Sequence, residues 1–343
     1  MNRRTLAAII AASSALLLMT GLAQADLTWS GYSQFRFNQL DEALNQPNNR
    51  DFNLRRARLQ VAGPINDQGT EMALQIDLAK LDDRQDDTDP RNRRVVLKDA
   101  WLKHPLTPEV AARMGFTSVP FGYETPGSDS AALCFEHSKA GLSFFPEERE
   151  EGLYLLAAPK AKGMPQVALG YSNGLYAWGD KDAKTGDQDT KDHAWEGRVQ
   201  WMLPRNGVAG VSYQTADRTR SVGGITKHFD QNVLGVHARW ICPNNLVLAG
   251  EYYTGEILDV GSKGYYLLAE YRPGPKRAMP FYRYDQFDDG IAGHQLYQRN
   301  TLGVGWDIAK NERITVQGER YDDVKSGTFT NIGVQWQIMY GGK

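Results

Sequence analysis

The sequence predicts an all-β protein, a transmembrane antiparallel β-barrel of about 16 strands. Three observations lead to this fold class: apolar and polar residues alternate with a period of two, sixteen such segments follow one another, and their connections alternate between short and long. Alternation over about ten residues is the signal of a strand whose two faces meet different surroundings. Helical spacing is not sustained anywhere after residue 25.

The first 25 residues predict a secretory signal peptide. Arg3 and Arg4 precede an apolar stretch over residues 5–20, and Ala23-Gln24-Ala25 offers an A-x-A cleavage site. A basic start, an apolar stretch and small residues before the cut are the features of such a peptide. We expect cleavage before Asp26, export through the periplasm, and a single barrel domain over residues 26–343.

The alternating segments follow one another along the whole of residues 26–343. Strands are expected to begin near residues 27, 53, 70, 95, 110, 151, 166, 193, 207, 231, 246, 264, 279, 298, 313 and 329. In the fourth of them, Lys98 and Asp99 interrupt the alternation, so their faces stay unassigned.

The connections are rich in Pro, Gly, Asn and Asp, the residues that turns and loops favour, and they are of two lengths. Short ones cover residues 63–67, 104–108, 204–207, 242–245 and 310–312. Long polar ones cover residues 39–52, 79–94, 117–150, 173–192 and 216–230. Short periplasmic turns and long extracellular loops are typical of a bacterial outer-membrane barrel.

Physical constraints then predict which face meets which solvent. A sheet in hydrocarbon must close, because an unpaired edge is not tolerated there. The apolar face therefore meets outer-membrane lipid and lipopolysaccharide, and the polar face lines a lumen that sixteen strands leave open to water. With 39 basic and 41 acidic residues, the chain has no basic excess for nucleic acid.

The third long connection, residues 117–150, is too long for a plain turn and is expected to fold inward as a constriction loop. It carries the candidate residues Glu124, Asp129, Glu136 and Arg149. The polar side of the early strands supplies the candidates Arg36, Arg56, Arg58 and Arg113. Opposite charges across a narrow lumen set ion preference. An alternative is that some of these arginines brace the loop by ion pairs, and the two roles can coexist.

The parity of a residue, meaning whether its position in the alternation faces the lumen or the lipid, predicts further inward charges on the later strands. The expected further inward cations are Arg198, Arg239, Arg272, Arg283, Arg299 and Arg313. The expected inward acids are Glu71, Asp77, Glu196, Glu251, Glu270, Asp285, Asp307 and Glu319. Cations dominate only near the early strands, which predicts a local basic wall suited to small anions.

Several sequence blocks in residues 50–155 resemble the phosphate-selective porin O/P family in composition and order. The blocks are residues 53–59 (NLRRARL), 97–101 (LKDAW), 114–116 (MGF), 120–124 (PFGYE) and 146–152 (PEEREEG). The resemblance implies a sixteen-stranded trimeric outer-membrane channel for anions, with an arginine ladder and an inward third loop. The family's double arginine matches Arg55 and Arg56. Parity sends Arg56 to the lumen and Arg55 to the opposite face, at the rim.

Two positions depart from the family pattern in the third loop. Ser130, beside Asp129, stands where the family carries a lysine, and His137 stands in place of an arginine. These residues bear on which anion is bound, whereas the fold expectation does not depend on them.

The resulting prediction is a porin for passive diffusion of small hydrophilic solutes, with anions such as phosphate preferred. No catalysis or cofactor is expected, and no metal site is assigned; whether the acidic stretches at residues 82–89 and 180–187 bind Ca²⁺ stays open. The G-x-S-x-G sequence at residues 170–174 ends a strand and starts a loop, whereas a nucleophile elbow requires a following helix. The alternatives are a nonspecific or weakly cation-preferring porin and a non-conducting structural or receptor barrel. Whether Cys134 and Cys242 pair stays open.

Overall fold

The chain forms a closed barrel in the computed structural model, in which each strand pairs antiparallel with its sequence neighbours and the first strand pairs with the last. The structure describes residues 26–40, 50–79, 95–146, 148–161, 163–174, 192–222, 225–257, 259–274, 276–323 and 327–341. The predicted signal peptide and the acidic stretches at residues 82–89 and 180–187 lie outside them.

All sixteen predicted strands are present, which confirms the predicted fold class. The first eight are β1 Thr28–Leu40, β2 Arg50–Pro64, β3 Glu71–Asp77, β4 Val96–Pro105, β5 Val110–Ser118, β6 Arg149–Ala157, β7 Gln166–Ser172 and β8 His193–Leu203. The others are β9 Gly207–Val222, β10 Ile225–Ile241, β11 Leu246–Ile257, β12 Val260–Tyr271, β13 Ala278–Asp288, β14 Tyr297–Ala309, β15 Glu312–Asp323 and β16 Gly327–Gly341. A short helix, α1 Lys139–Phe144, lies between β5 and β6, and a 3₁₀ turn, Pro204–Asn206, joins β8 to β9.

The barrel is apolar outside and polar inside, the reverse of a water-soluble protein. Large apolar side chains are exposed on its outer face, among them Trp29, Met114, Leu169, Leu267, Leu302 and Trp336. Polar side chains are buried on its inner face, among them Gln34, Gln214, Arg283, Thr301 and Gln317. Such a surface suits hydrocarbon around a polar interior. Within the described residues, no helix has the length and apolar character needed to cross a membrane.

Three β-bulges interrupt the ladders of the described strands, and two of them, between β1 and β2 and between β3 and β4, bear on the predictions; the third lies between β14 and β15, at Ile308. Between β1 and β2 the pairing passes from Gln34–Arg56 to Phe35–Leu54, which leaves Arg55 without a partner in the ladder. A bulge re-aims its extra residue, because two residues then oppose one. The expectation that Arg55 lies on the outward face is therefore wrong: its side chain reaches Glu136, which belongs to the segment between β5 and β6.

The second bulge explains why the alternation is interrupted in the fourth predicted strand. Between β3 and β4 the pairing passes from Gln75–Asp99 to Ile76–Leu97, and Lys98 is the extra residue. The alternation in the sequence is broken at Lys98 for this reason, since the pleat changes face there.

One predicted long connection is wrong. Residues 216–230 were expected to form a loop, but β9 continues to Val222 and β10 begins at Ile225. Their polar composition resembles that of a loop, yet a polar hairpin satisfies its backbone groups by pairing as well as an apolar one does. Of the other predicted long connections, residues 41–49, 80–94 and 175–191 lie outside the described part of the chain.

Candidate functional site

The segment between β5 and β6, residues 119–148, lies inside the barrel; it is called the inner loop below, and its Glu147 lies outside the described residues. Its polar groups bond to inward side chains on widely separated strands. The backbone of Phe135 donates to Gln317 on β15 at 3.1 Å, and that of Gly122 donates to Ser212 on β9 at 2.9 Å. A segment that touches both walls must cross the lumen. The expected inward fold of this connection is what the structure has.

The first attachment of the inner loop is through Glu136. Its carboxylate oxygens lie 2.6 to 3.0 Å from three guanidinium groups, those of Arg36 on β1 and of Arg55 and Arg56 on β2. Arg36 also lies over the ring of Phe135, 4.5 Å from its centroid. Pulling the loop away would leave these buried charges without their partners, which is costly, so the cluster holds the middle of the loop against β1 and β2.

Asp129 extends the same cluster. Its carboxylate lies 2.7 Å from Arg58 and 3.2 Å from Arg56, and these three side chains are 7–8% exposed. Its other contact is His137, whose Nε2 atom is 3.3 Å away. The second nitrogen of His137, Nδ1, contacts the carboxylate of Glu148. His137 therefore lies between two carboxylates, the position in which its protonated form is favoured.

The electrostatics of the loop agree with this geometry. Burial by itself raises the pKa of Asp129 and of Glu136, but the neighbouring arginines outweigh it and hold both pKa values below their ordinary range. For His137, burial lowers the pKa, yet the carboxylates of Glu124, Glu148 and Asp129 raise it to about 9. The loop thus carries ionised acids and a protonated histidine near neutral pH.

The second attachment is to the opposite wall, at Asp285. On β13 and β14, Arg283 and Arg299 flank Asp285 at 2.9 and 3.0 Å. Arg299 also donates to the carbonyl oxygen of His137 at 2.9 Å, and Asp285 accepts from the backbone of Lys139 at 3.0 Å. The arginines neutralise Asp285 while they bind the loop backbone, so this site satisfies polar groups at the start of α1 that water would otherwise reach.

Glu251 on β11 makes the third attachment. Its carboxylate accepts hydrogen bonds from the backbone of Tyr123 at 3.0 Å and of Glu124 at 2.5 Å. The hydroxyls of Tyr253 and Tyr266 donate to the same carboxylate at 2.8 and 2.9 Å. Four donors on one buried acid fix the turn at the beginning of the loop.

Glu124 itself acts within the loop. Its carboxylate accepts from the backbone and hydroxyl of Ser138, at 2.9 and 2.5 Å. The Ser138 hydroxyl in turn accepts from the backbone of Gly141 at 3.1 Å and so caps the N-terminus of α1. The nearest guanidinium to Glu124 is that of Arg283, at 3.6 Å. Glu124 is thus a structural residue of the loop in this geometry.

An apolar cluster completes the attachment. Phe121 and Phe144 of the loop stack on Tyr253 of β11, with ring centroids 5.8 and 6.0 Å away. The buried cluster also contains Val119, Ala140, Phe145, Val233, Phe287 and Tyr297. Gly235 on β10 leaves room for Phe121, because a Cβ atom there would be 2.5 Å from its ring. Burial of these rings adds a hydrophobic contribution to the ion pairs.

The eight candidate residues therefore fall into two groups. Arg36, Arg56, Arg58, Asp129 and Glu136 form one contact cluster. The other three lie apart: Glu124 contacts Ser138, while Arg113 donates to Thr117 at 3.1 Å. Arg149, expected in the loop, is the first residue of β6, and its Nε atom lies 3.4 Å from Asp99.

The residues that attach the loop but were not among the candidates include Arg55, Glu251, Arg283, Asp285 and Arg299. The alternation predicted an inward direction for the last four, but no sequence signal pairs them with a segment more than a hundred residues away. Arg55 had a signal in the Arg55-Arg56 pair, since two adjacent residues face the same way only at a bulge.

Neither cysteine forms a disulfide in the structure. Cys134 is buried in the inner loop against Met279, Phe281 and Leu133, and burial raises the pKa of its thiol to about 12. Cys242 lies in the turn between β10 and β11. Ser172 of the G-x-S-x-G sequence is buried and contacts the carboxyl groups of Glu150 and Glu196.

Comparison with a family model supports the resemblance noted in the sequence. Residues 29–144 match the model of the family described as phosphate-selective porin O and P, in agreement with the resemblance noted in the sequence. They include β1 to β5 and the inner loop up to the end of α1. No curated protein matches the sequence significantly.

Solved structures show the same fold at low sequence identity. An anion-selective porin from Comamonas acidovorans is 14% identical, with a TM-score of 0.65 and coverage of 93% of this chain and 100% of that one. OmpT, an outer membrane protein of Vibrio cholerae solved in a trimer form, is 12% identical, with a TM-score of 0.65 over 92% of this chain and 99% of that one. The outer membrane channel DcaP of Acinetobacter baumannii is 12% identical, with a TM-score of 0.63 over 93% and 98%. The fold is that of outer-membrane porins.

Proposed function

We propose that this chain, whose residues 29–144 match the phosphate-selective porin O and P family, is an outer-membrane porin for passive diffusion of small hydrophilic solutes, anions above all. The observation that carries the proposal is a closed barrel of sixteen strands, polar inside, with the inner loop held across its lumen. A barrel of this size encloses more space than its own inward side chains fill, and a loop across it leaves a narrowed aqueous passage.

The eight candidate residues have two proposed roles in this channel. Arg36, Arg56, Arg58, Asp129 and Glu136 hold the inner loop and so set the width of the passage, with Glu124 fixing the loop internally. Arg113 stands on the wall beside the loop and contributes positive potential along it, whereas the charge of Arg149 is compensated by Asp99 and Glu148. Charged side chains at the narrowest part of a pore decide which ions pass.

The outer face of the barrel supports a location in the outer membrane. Its exposed Leu, Val and Trp side chains suit outer-membrane lipid and lipopolysaccharide. A signal peptide over residues 1–25 would route the chain through the periplasm. The OmpT structure in trimer form supports a homotrimer for this chain as well. Nothing in this function requires a catalytic residue, a cofactor or nucleic acid.

The direct test is the current through single molecules of the purified full-length protein in a planar lipid bilayer. With a potassium chloride gradient, we expect steady current and a zero-current potential of anionic sign. Steady current with cationic or no preference would support a general porin and contradict the anion preference. Absence of current in repeated insertions would contradict the channel and favour a structural or receptor barrel.

A further inference from the structure

A buried acidic cluster lies on the barrel wall beside the end of the inner loop, and the channel function does not use it. It consists of Glu150 on β6, Ser172 on β7 and Glu196 on β8. The Oγ atom of Ser172 contacts a carboxylate oxygen of Glu150 and lies 2.7 Å from Oε1 of Glu196. The three residues are at most 3% exposed, so water does little to screen the two acids from each other.

The cluster has more oxygen acceptors than hydrogens. The hydroxyl of Ser172 carries a single hydrogen and can donate it to only one of the two carboxylates. The other contact brings two oxygens together and needs either a proton on a carboxyl group or a cation. Two ionised carboxylates buried side by side are costly without such compensation.

The arginines of the neighbouring wall do not compensate Glu196. Within the described residues, Glu196 forms no ion pair. Arg113, on the strand next to β6, donates to the hydroxyl of Thr117 at 3.1 Å. Arg198, two residues after Glu196, donates to the carbonyl oxygen of Gly122 at 3.0 Å. The charge of Glu196 is therefore left to a proton or to a cation from outside the chain.

Further oxygens with unused bonding capacity surround the cluster. The hydroxyl of Tyr154, Oε1 of Gln214 and Oε2 of Glu196 are buried and have no hydrogen-bond partner. Gln214 on β9 lies directly opposite Glu196, and its amide nitrogen is 3.5 Å from Oε1 of that residue. Tyr154 and Gln214 are at most 1% exposed. A buried polar atom without a partner is rare, and several at one place indicate a missing ligand.

Two glycines leave the space in which these groups meet. A Cβ atom at Gly170 would lie 2.5 Å from Oε2 of Glu196 and 2.5 Å from the ring of Tyr154. A Cβ atom at Gly152 would lie 3.0 Å from the hydroxyl of Tyr154 and 2.9 Å from the Cβ of Ser172. The Tyr154 hydroxyl thus lies beside Ser172, and the ring of Tyr154 lies beside the second oxygen of Glu196.

We propose that this cluster is a calcium-binding site whose ligands are the side-chain oxygens of Glu150, Tyr154, Ser172, Glu196 and Gln214. Two carboxylates match the charge of a divalent cation. A shared proton would neutralise one carboxyl group but would leave the acceptor oxygens of Gln214 and Glu196 unused, whereas a cation engages several acceptors at once. Ca²⁺ fits better than Mg²⁺, because it accepts irregular sets of protein oxygens while Mg²⁺ requires a strict octahedron and keeps several waters.

The position of the site gives the cation a structural role. Glu150 is the second residue of β6, directly after the inner loop, while Ser172 and Glu196 lie on the next two strands. A cation bound by all three ties the end of the loop to β7 and β8. This role goes beyond the proposed channel function and does not depend on which solute passes.

The test measures calcium binding by the purified full-length protein, freed of lipopolysaccharide and stripped of divalent ions with EDTA. Thermal unfolding in detergent is followed near neutral pH as calcium chloride is added. We expect the unfolding temperature to rise with the calcium concentration, since an ion that binds only the folded state stabilises it by mass action. Isothermal titration calorimetry with calcium chloride gives the dissociation constant of the same site.

The variant Glu196→Gln removes one charge of the pair with little change of shape. We expect it to lose most of the calcium-dependent shift and to bind calcium at least about tenfold more weakly. Glu270→Gln is the matched control, because it removes a buried inward glutamate that Arg272 already compensates at 2.8 Å, and it should keep the shift. Calcium held by the acidic stretches at residues 82–89 and 180–187 would contribute equally to all three proteins.

Ser172→Ala keeps both carboxylates and serves as the second variant if Glu196→Gln does not fold. We expect it to weaken calcium binding as well, and an unchanged affinity would overturn the assignment. A wild type without a calcium-dependent shift would overturn it too and would show that a shared proton neutralises the pair. An equal shift in wild type and Glu196→Gln would place the calcium elsewhere and so contradict this site. None of these results bears on the channel, which the bilayer current tests separately.

Discussion

Arg58 and Asp129 lie 2.7 Å apart in the interior of the barrel, one on the wall at β2 and the other on the inner loop. This contact shows what the charges on the early strands do in the folded chain. They do not face acids across an open gap; they touch them. The basic wall expected from the sequence is therefore a binding surface for the chain's own loop.

Substitution of Asp129 tests the strength of this attachment. Asp129→Asn removes the negative charge between Arg56 and Arg58 and leaves both guanidinium groups buried with less compensation. We expect a loss of about 3–5 kcal/mol in the stability of the folded state, as for other buried ion pairs that lose one partner. Thermal unfolding in detergent measures it. Asp67→Asn, in the exposed turn between β2 and β3, is the control and should leave the unfolding temperature unchanged.

The pH dependence of the loop follows from His137. Its pKa is raised to about 9 in the folded state from an ordinary value of 6.5. The stabilisation is therefore fully present below pH 6.5 and is lost as the pH rises through about 9. We expect the loop to loosen between pH 8 and 10, measured as increased noise of the open-channel current. A flat response of the wild type, or an identical transition in His137→Gln, would contradict this assignment.

Substitution of Gly235 tests how the inner loop packs against β10. An added Cβ would lie 2.5 Å from the ring of Phe121, which is buried among other aromatic side chains and cannot move freely. We expect Gly235→Ala to destabilise the protein by about 1–3 kcal/mol through overpacking. Thermal unfolding compares it with Gly318→Ala on β15, where a Cβ would meet nothing within 4 Å. Equal stability of the two variants would show that Phe121 is not seated there.

The two cysteines report on the position of the loop. Because the thiolate is the reactive form, Cys134, with a pKa of about 12, should resist maleimide at pH 8, whereas Cys242 in its turn should react. In a Cys242→Ser background we expect Asp129→Asn to speed labelling of Cys134 at least about tenfold, because opening of the loop exposes the thiol. Mass spectrometry after timed labelling measures this rate. Fast labelling of Cys134 in the native wild type would contradict the buried position.

The strands were predictable because the period of a strand is two and the two solvents of a membrane barrel differ so strongly. The alternation is broken where the backbone departs from that period. Arg55 and Lys98 are extra residues at bulges, and each changes the face of the pleat locally. The one long connection predicted wrongly, residues 216–230, has a different cause, because its polar composition indicated a loop where β9 and β10 continue as a hairpin.

The candidate site was predictable in its parts but not in its contacts. Parity placed Arg36, Arg56 and Arg58 inside, and length marked the connection that carries Asp129 and Glu136 as unusual. Neither the alternation nor the length of the connection predicts which wall the loop touches, since Glu251 and Asp285 are more than a hundred residues further along the chain.

The sequence by itself determined the barrel, its strand number and the inward direction of most of its charges, because these follow from local alternation and from the cost of an unpaired edge in lipid. Only the tertiary structure decided which charges compensate one another. A charge acts through distance, and the distance between Arg58 and Asp129, or between Arg113 and any acid, is set by how the inner loop packs across the lumen. Arg58 and Arg113 both face inward, yet Arg58 is bound to a carboxylate, whereas Arg113 has no ion pair with any residue that the structure describes.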